Sequence, residues 1–216
     1  MVDFLSQVDI KDPYFAALSS EEILLKTKGK ASTMHAYMEL RSRSWIPWTK
    51  ESKQIWSKYV YQAQQHLERA FPQIEQLKTP WKIAQLDQSI EFGYSYTLQN
   101  VIFLSSSLVA TPPKDAVLLL AHERMHIFQR LHPEVFHTLY RAKGWVSIPA
   151  PTIPTQNILL TNPDALDWWE FEGKIPFLIW DGKPALRALD ISTQEITSTQ
   201  LQHPNEELAY AIESSF

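Results

Sequence analysis

The sequence predicts an α+β fold in which a helical N-terminal part precedes a small mixed sheet. The helical part is indicated by a long pattern from Thr49 to Phe71, where apolar residues recur at helical spacing. The sheet is indicated by two runs rich in β-branched and aromatic residues, Trp81 to Asp87 and Tyr94 to Ser105, with a turn at Gly93 between them. An apolar fraction of 44% is enough for one packed core, so we expect a single domain.

Local signals predict the remaining elements. Capping residues, helix-starting prolines and helix-ending glycines predict helices near 20–28, 34–45, from Pro113 onward, 133–143 and 204–213. The runs Ile175 to Trp180 and Ala185 to Ile191, joined by Asp181-Gly182, predict a hairpin. Residues 145–163 are rich in proline and are expected to be irregular. We therefore expect an N-terminal lobe over 1–144 and a mostly irregular and helical C-terminal lobe over 145–216.

Composition limits the classes of function. The net charge is -4 and the chain is neither basic nor patterned for nucleic acid or an anionic membrane, so neither is expected as a partner. The absence of cysteine excludes disulfides, a cysteine nucleophile and thiolate metal ligands. No basic segment followed by an apolar run begins the chain and no run has membrane-spanning length, so we expect a cytoplasmic protein.

The most informative motif is His122-Glu123-Arg124-Met125-His126, which has the form H-E-x-x-H inside an apolar run. Residues four apart share one face of a helix, so His122 and His126 can bind the same metal ion. Glu123 follows the first histidine, where its carboxylate can take a proton from a metal-bound water. Three leucines precede the motif and Ile127-Phe128 follow it, so we expect a buried helix that would not tolerate unpaired polar groups.

This motif resembles that of the zincin metallopeptidases, and a second motif is most similar to their gluzincin branch. In gluzincins the third zinc ligand is a glutamate on a later helix, within Asn-Glu-x-x-Ser/Ala; here Asn205 to Ala209 has that form. The resemblance implies a zincin-like domain whose Zn²⁺ is held by His122, His126 and Glu206. It also implies that Ala209 permits a close approach of the two helices.

The sequence leaves other candidates for the third zinc ligand. His132 would complete the metzincin signature H-E-x-x-H-x-x-G-x-x-H, but Gln129 stands at the glycine position, where a left-handed backbone costs about 1 kcal/mol. A continuing helix would also place His132 about 240° around the axis from His126. The remaining acidic candidates are Glu207, Asp164, Glu170 and Glu213.

The resemblance implies zinc-dependent hydrolysis of peptide bonds, with a peptide or protein as the substrate. Glu123 would transfer the proton of the attacking water to the leaving amine, and Tyr210 is the favoured stabiliser of the oxyanion. Alternative stabilisers are His203, Tyr140 and His137. The segment Tyr94 to Leu104 would supply the edge strand to which a substrate peptide adds. Asn162-Pro163-Asp164-Ala165 is predicted as a turn, with the alternative that it lines the cleft or buttresses a ligand.

A rival interpretation needs no catalysis. The same residues could hold a zinc ion that only stabilises a binding scaffold, or the chain could be a metal-free interaction protein. A closed site with four protein ligands would favour the first of these alternatives. Failure to bind zinc would favour the second.

Overall fold

The computed structural model describes residues 1–72, 79–153, 155–189 and 203–213, and these form an α+β fold as predicted. Side-chain oxygens of Asp12, Ser19, Thr33 and Thr49 accept backbone N–H bonds at four helix starts, and Pro133 and Pro204 begin two others. The helices are α1 (Pro13–Ala17), α2 (Ser20–Lys26), α3 (Met34–Arg43), α4 (Lys50–Ala70), α5 (Pro113–Leu131), α6 (Pro133–Ala142) and α7 (Pro204–Glu213).

A four-stranded mixed sheet lies at the centre of the N-terminal part. Its strands are β1 (Val2–Leu5), β2 (Trp81–Leu86), β3 (Tyr96–Leu98) and β4 (Val101–Ser105), in the order β1-β2-β4-β3. The first three in that order are parallel, and β3 runs antiparallel to β4 at the edge. Strand β1 was not predicted, so the N-terminal part is not purely helical.

The prediction of a single strand over Tyr94 to Ser105 is wrong, because the chain reverses direction within this segment. Strands β3 and β4 are separated by Gln99-Asn100, and Gln99 adopts a left-handed conformation with φ of 51°. Such tight turns favour glycine or asparagine, and glutamine at this position gave no turn signal.

The expectation of a mostly irregular C-terminal lobe is also wrong. Two small antiparallel sheets occupy it: β5 pairs with β7, and β8 lies between β6 and β9. Their bounds are β5 (Trp145–Ile148), β6 (Ile158–Leu160), β7 (Trp168–Phe171), β8 (Ile175–Trp180) and β9 (Pro184–Leu189). The predicted hairpin is confirmed as β8–β9, although its predicted end at residue 191 lies outside the described residues.

One hydrophobic core joins the two predicted lobes around α5. It combines Leu120 and Phe128 of α5 with Trp145, Trp169 and Ala209 from later elements. The buried face of α7 packs directly on α5, which places the C-terminal helix beside the histidine motif. None of the helices in the described part of the chain is both long and apolar enough to span a membrane.

Candidate metal centre

Helix α5 brings two imidazoles together inside the protein. His122 and His126 lie one turn apart on the buried face of the helix, as their spacing predicts. Their Nε2 atoms are 2.9 Å apart, and their ring centroids are 4.6 Å apart. Two nitrogen atoms this close together could bind one ion.

Glu206 on α7 completes a triangle of ligand atoms. Its Oε2 lies 3.4 Å from His122 Nε2, and its Oε1 lies 3.7 Å from His126 Nε2. Four-coordinate zinc, with ligands about 2.0–2.1 Å away, separates its donor atoms by about 3.3 Å. The three observed separations bracket that value, so the buried group His122, His126 and Glu206 could hold a metal ion.

Gln129 orients the second imidazole. Its side-chain Oε1 lies 2.8 Å from His126 Nδ1, and its Nε2 donates to the carbonyl oxygen of Asn205 on α7 at 2.9 Å. An N–H at Nδ1 directed to Gln129 leaves the lone pair of Nε2 for a metal. Helix α5 continues through Gln129 to Leu131, so His132 is its C-cap and lies outside the triangle. The metzincin-like alternative is thus not supported.

Asn162 holds the carboxylate of Glu206. Its Nδ2 donates to Glu206 Oε1 at 2.8 Å, and its Oδ1 accepts the Asp164 backbone N–H at 2.8 Å. Burial alone would raise the pKa of Glu206, but His126, His122 and the Asn162 amide outweigh it and lower the pKa to about 2. These contacts favour the ionised carboxylate, the form that binds a cation.

Burial shifts the pKa of both His126 and Glu123 towards their neutral forms. Burial lowers the pKa of His126, despite the nearby carboxylates of Asp164 and Glu206, and so favours the neutral imidazole that binds metals. Glu123 is buried, and its Oε2 has no hydrogen-bond partner among the described residues. Burial, together with the charges of Asp164 and Glu206, raises the pKa of Glu123 well above its ordinary value. Glu123 thus has an unpartnered oxygen, and its surroundings favour the neutral acid. A metal cation held by the neighbouring residues would oppose this shift and favour the carboxylate form that a general base needs.

Three of the remaining acidic candidates, Glu207, Asp164 and Glu170, do not belong to the triangle, and the Asp164 carboxylate pairs with Arg130 at 3.3 Å. Glu207 accepts bonds from Lys143 Nζ and Trp145 Nε1, each at 2.8 Å. Glu170 lies on β7, opposite Val146 of β5. The side chain of Glu213 lies outside the described residues. The structure therefore distinguishes Glu206 from its neighbour Glu207 as a candidate ligand, a choice that the sequence alone left open.

Tyr210, one of the four proposed oxyanion stabilisers, packs directly on a residue of the triangle. Its ring packs edge-to-face on His122, with centroids 4.9 Å apart. The hydroxyl of Tyr140 donates to Asn205 Oδ1 at 2.7 Å, and His203 Nε2 lies 3.1 Å from Asp167 Oδ1. His137 Nε2 faces the same carboxylate at 3.9 Å. Tyr140 and His203 are thus both hydrogen-bonded to Asn205, since the Asn205 backbone N–H donates to His203 Nδ1 at 3.1 Å. His137 makes only the longer contact with Asp167.

The edge strand β3 is covered, contrary to the expectation of an open strand for substrate. The backbone N–H of Thr97 donates to Asp164 Oδ2 at 3.3 Å, and its hydroxyl donates to Asp164 Oδ1. Arg130 Nη2 donates to the carbonyl oxygen of Thr97 at 3.4 Å and pairs with Asp164 at 3.3 Å. A peptide could pair with Thr97 only if Asp164 and Arg130 were displaced.

Open space lies beside the second histidine. A cavity of about 280 Å³ is lined by His126, Gln129, Arg130, His137, Asp164, Asp167 and neighbouring residues. Its volume is near the lower end of the range of small-molecule pockets. A ligand entering here would meet charged and polar side chains.

Sequence reasoning missed some of the residues that organise this site. The buttressing alternative for Asn162 agrees with its contact to Glu206. The orienting contact of Gln129 could have been found, because it lies three residues after His126 on the same helical face. No sequence signal identifies Arg130, which joins the motif helix to β3 and to the turn at Asp164.

Comparisons of the chain with protein-family models, curated protein sequences and solved structures found no match. The functional interpretation consequently depends on the geometry of the triangle and on the residues around it.

Proposed function

We propose that this protein is a zinc-dependent metallopeptidase with a zincin-like domain. The observation that carries the proposal is the buried triangle of His122, His126 and Glu206, with the unpartnered Glu123 carboxylate oxygen on the same helix. Within the described residues the triangle offers three ligand side chains, which suits a catalytic site that keeps one position open. The antiparallel edge strand next to the motif helix further supports a zincin-like arrangement.

The proposed chemistry assigns a distinct role to each residue. When bound, zinc supplies Lewis-acid chemistry that makes water more acidic and polarises a carbonyl group. Glu123 accepts the proton of the attacking water and returns it to the leaving amine. Gln129 and Asn162 keep the ligand atoms of His126 and Glu206 aimed at the ion. Tyr210, beside His122, is the proposed donor to the oxyanion.

The test is Glu123→Gln, assayed on a fluorogenic peptide library alongside zinc content. We expect wild-type zinc content with hydrolysis reduced at least about 100-fold, because a general base contributes about 10²–10⁴-fold. Glu134→Gln, at an exposed position on α6, is the matched control and should keep wild-type activity. Hydrolysis retained in Glu123→Gln would remove Glu123 from the mechanism.

A non-catalytic zinc site is the second candidate, and the covered edge strand favours it, since Thr97 is already paired. A metal whose fourth position is closed would not exchange small ligands. Cobalt-substituted protein distinguishes the two candidates: a visible spectrum altered by added hydroxamate indicates an open position, and an unaltered spectrum indicates a closed one.

A further inference from the structure

A network of contacts leads from the N-terminal helices to the carboxylate ligand. It begins at Glu22 of α2, which is buried, and ends at Glu206, with Thr161 and Asn162 between them. The Asn162 side chain is fixed at both ends, by Glu206 Oε1 and by the Asp164 backbone N–H. The orientation of the ligand carboxylate therefore depends on where the backbone places Asn162.

The preceding residue, Thr161, is fixed by α2. Its backbone N–H donates to Glu22 Oε1 at 2.5 Å, and its hydroxyl donates to Glu22 Oε2 at 3.0 Å. Lys26 Nζ donates to the Thr161 carbonyl oxygen at 2.6 Å. The backbone N–H and C=O and the hydroxyl of Thr161 are thus all held by two side chains of one short helix.

These two side chains belong to a larger buried network. Lys26 Nζ lies 3.2 Å from Glu22 Oε1 and 3.1 Å from Glu91 Oε2. The hydroxyls of Tyr14 and Tyr37 each donate to Glu91 at 2.6 Å. Buried charges that are mutually paired and hydrogen-bonded hold a defined geometry, because breaking any contact leaves an uncompensated group. The network can therefore transmit the position of α2 to Thr161.

We propose that Glu22 is a positioning residue for the metal centre, acting through Thr161 and Asn162 on the carboxylate of Glu206. The proposal rests on the proposed metal site. It assigns the N-terminal helices a role in metal affinity that the ligand motifs do not indicate. Glu22 itself touches neither the metal ligands nor the open position.

The test compares zinc affinity and thermal unfolding of the full chain. We expect Asn162→Ala to raise the zinc Kd about 10–100-fold, as loss of a contact to a ligand does. Glu22→Gln and Thr161→Val should raise it about 3-fold or more. Each variant should also change the visible spectrum of the cobalt-substituted protein, because the geometry of the ligand changes.

Thr27→Val is the matched control. Thr27 is fully buried at the end of the same helix, and its hydroxyl bonds to Ile23 and Ala31 rather than to Thr161. We expect Thr27→Val to lower the unfolding temperature of metal-free protein while zinc Kd and cobalt spectrum stay unchanged. If Glu22→Gln does not fold, Thr161→Val decides the question.

Three outcomes separate this proposal from the proposed function. A Glu22→Gln or Thr161→Val protein that is less stable but has wild-type Kd and cobalt spectrum would overturn the positioning role alone. Zinc binding with the expected variant effects but no hydrolysis in wild type would overturn the peptidase assignment alone. A wild-type protein that binds no zinc would overturn both.

Discussion

Replacement of Glu206 by glutamine tests the third ligand with little change of shape. The glutamine carbonyl oxygen can still accept the bond from Asn162 Nδ2, so the fold around the site should be preserved. The substitution removes the negative charge beside His122 and His126. Glu207→Gln is the matched control, because its carboxylate contacts Lys143 and Trp145 instead.

The expected loss of affinity follows from the number of ligands. Structural zinc sites with four ligands bind with about 10–16 kcal/mol, which is about 2.5–4 kcal/mol per ligand. The donor separations in the triangle lie close to those of tetrahedral zinc, so Glu206 should make a full ligand contribution. Its loss should raise the zinc Kd about 10²–10³-fold.

Thermal unfolding reports this difference directly. Zinc at 100 times the wild-type Kd should stabilise the wild-type protein by about 2.7 kcal/mol. For a chain of 216 residues that corresponds to about 5–11 °C in Tm. The same zinc concentration should stabilise Glu206→Gln by at most about 0.4 kcal/mol, which is a rise of about 2 °C or less.

The control fixes the interpretation of the result. Glu207→Gln should keep the full zinc-induced rise, even if its metal-free Tm is lower. A full rise in Glu206→Gln would refute the assignment of Glu206 as third ligand. Loss of the rise in Glu207→Gln alone would move that role to the neighbouring residue.

Two further predictions concern the surroundings of the site. Arg130→Leu leaves the buried Asp164 carboxylate without its cation and should lower the free energy of unfolding by about 3 kcal/mol. The control Arg43→Gln removes an exposed ion pair and should cost about 0.5 kcal/mol or less. Equal costs of the two variants in chemical denaturation would contradict this prediction. Burial opposes ionisation of Asp167, but His203 lowers the pKa of this carboxyl from 3.8 to about 2. The ionised Asp167 therefore stabilises the folded protein above pH 3.8, and this stabilisation is lost as the pH falls towards 2. The difference in unfolding free energy between wild type and Asp167→Asn should therefore shrink from pH 5 to pH 2. A constant difference would contradict the lowered pKa of Asp167.

The sequence predicted the helices better than the strands because their end signals are local. Capping side chains and prolines act within one turn, as the box formed by Thr49 and Ser52 illustrates. The β3–β4 turn carries no such signal, since Gln99 is held left-handed by its surroundings. Strand β7, Trp168–Phe171, is four residues long, too short for a periodic pattern to stand out.

In the candidate site, too, features set by neighbouring residues could be predicted, whereas contacts between distant parts of the chain could not. The spacing of His122 and His126 is a property of one helix and could be predicted from the sequence. Glu206 was predicted as the third ligand only through a resemblance to known metallopeptidases. Glu207 remained an alternative third ligand until the contacts of both residues were known. The links from Arg130 to Asp164 and from Glu22 to Thr161 join distant parts of the chain, and no local pattern encodes them.

The late position of α7 has a consequence for protein synthesis. A nascent chain that has emerged only as far as α6 carries both imidazoles but lacks Glu206, and two neutral ligands hold zinc weakly. Since contacts between distant segments form slowly, the complete triangle should appear only after α7 has docked on α5. A peptidase built in this order would be inactive until its fold is complete, which would protect neighbouring nascent chains from cleavage.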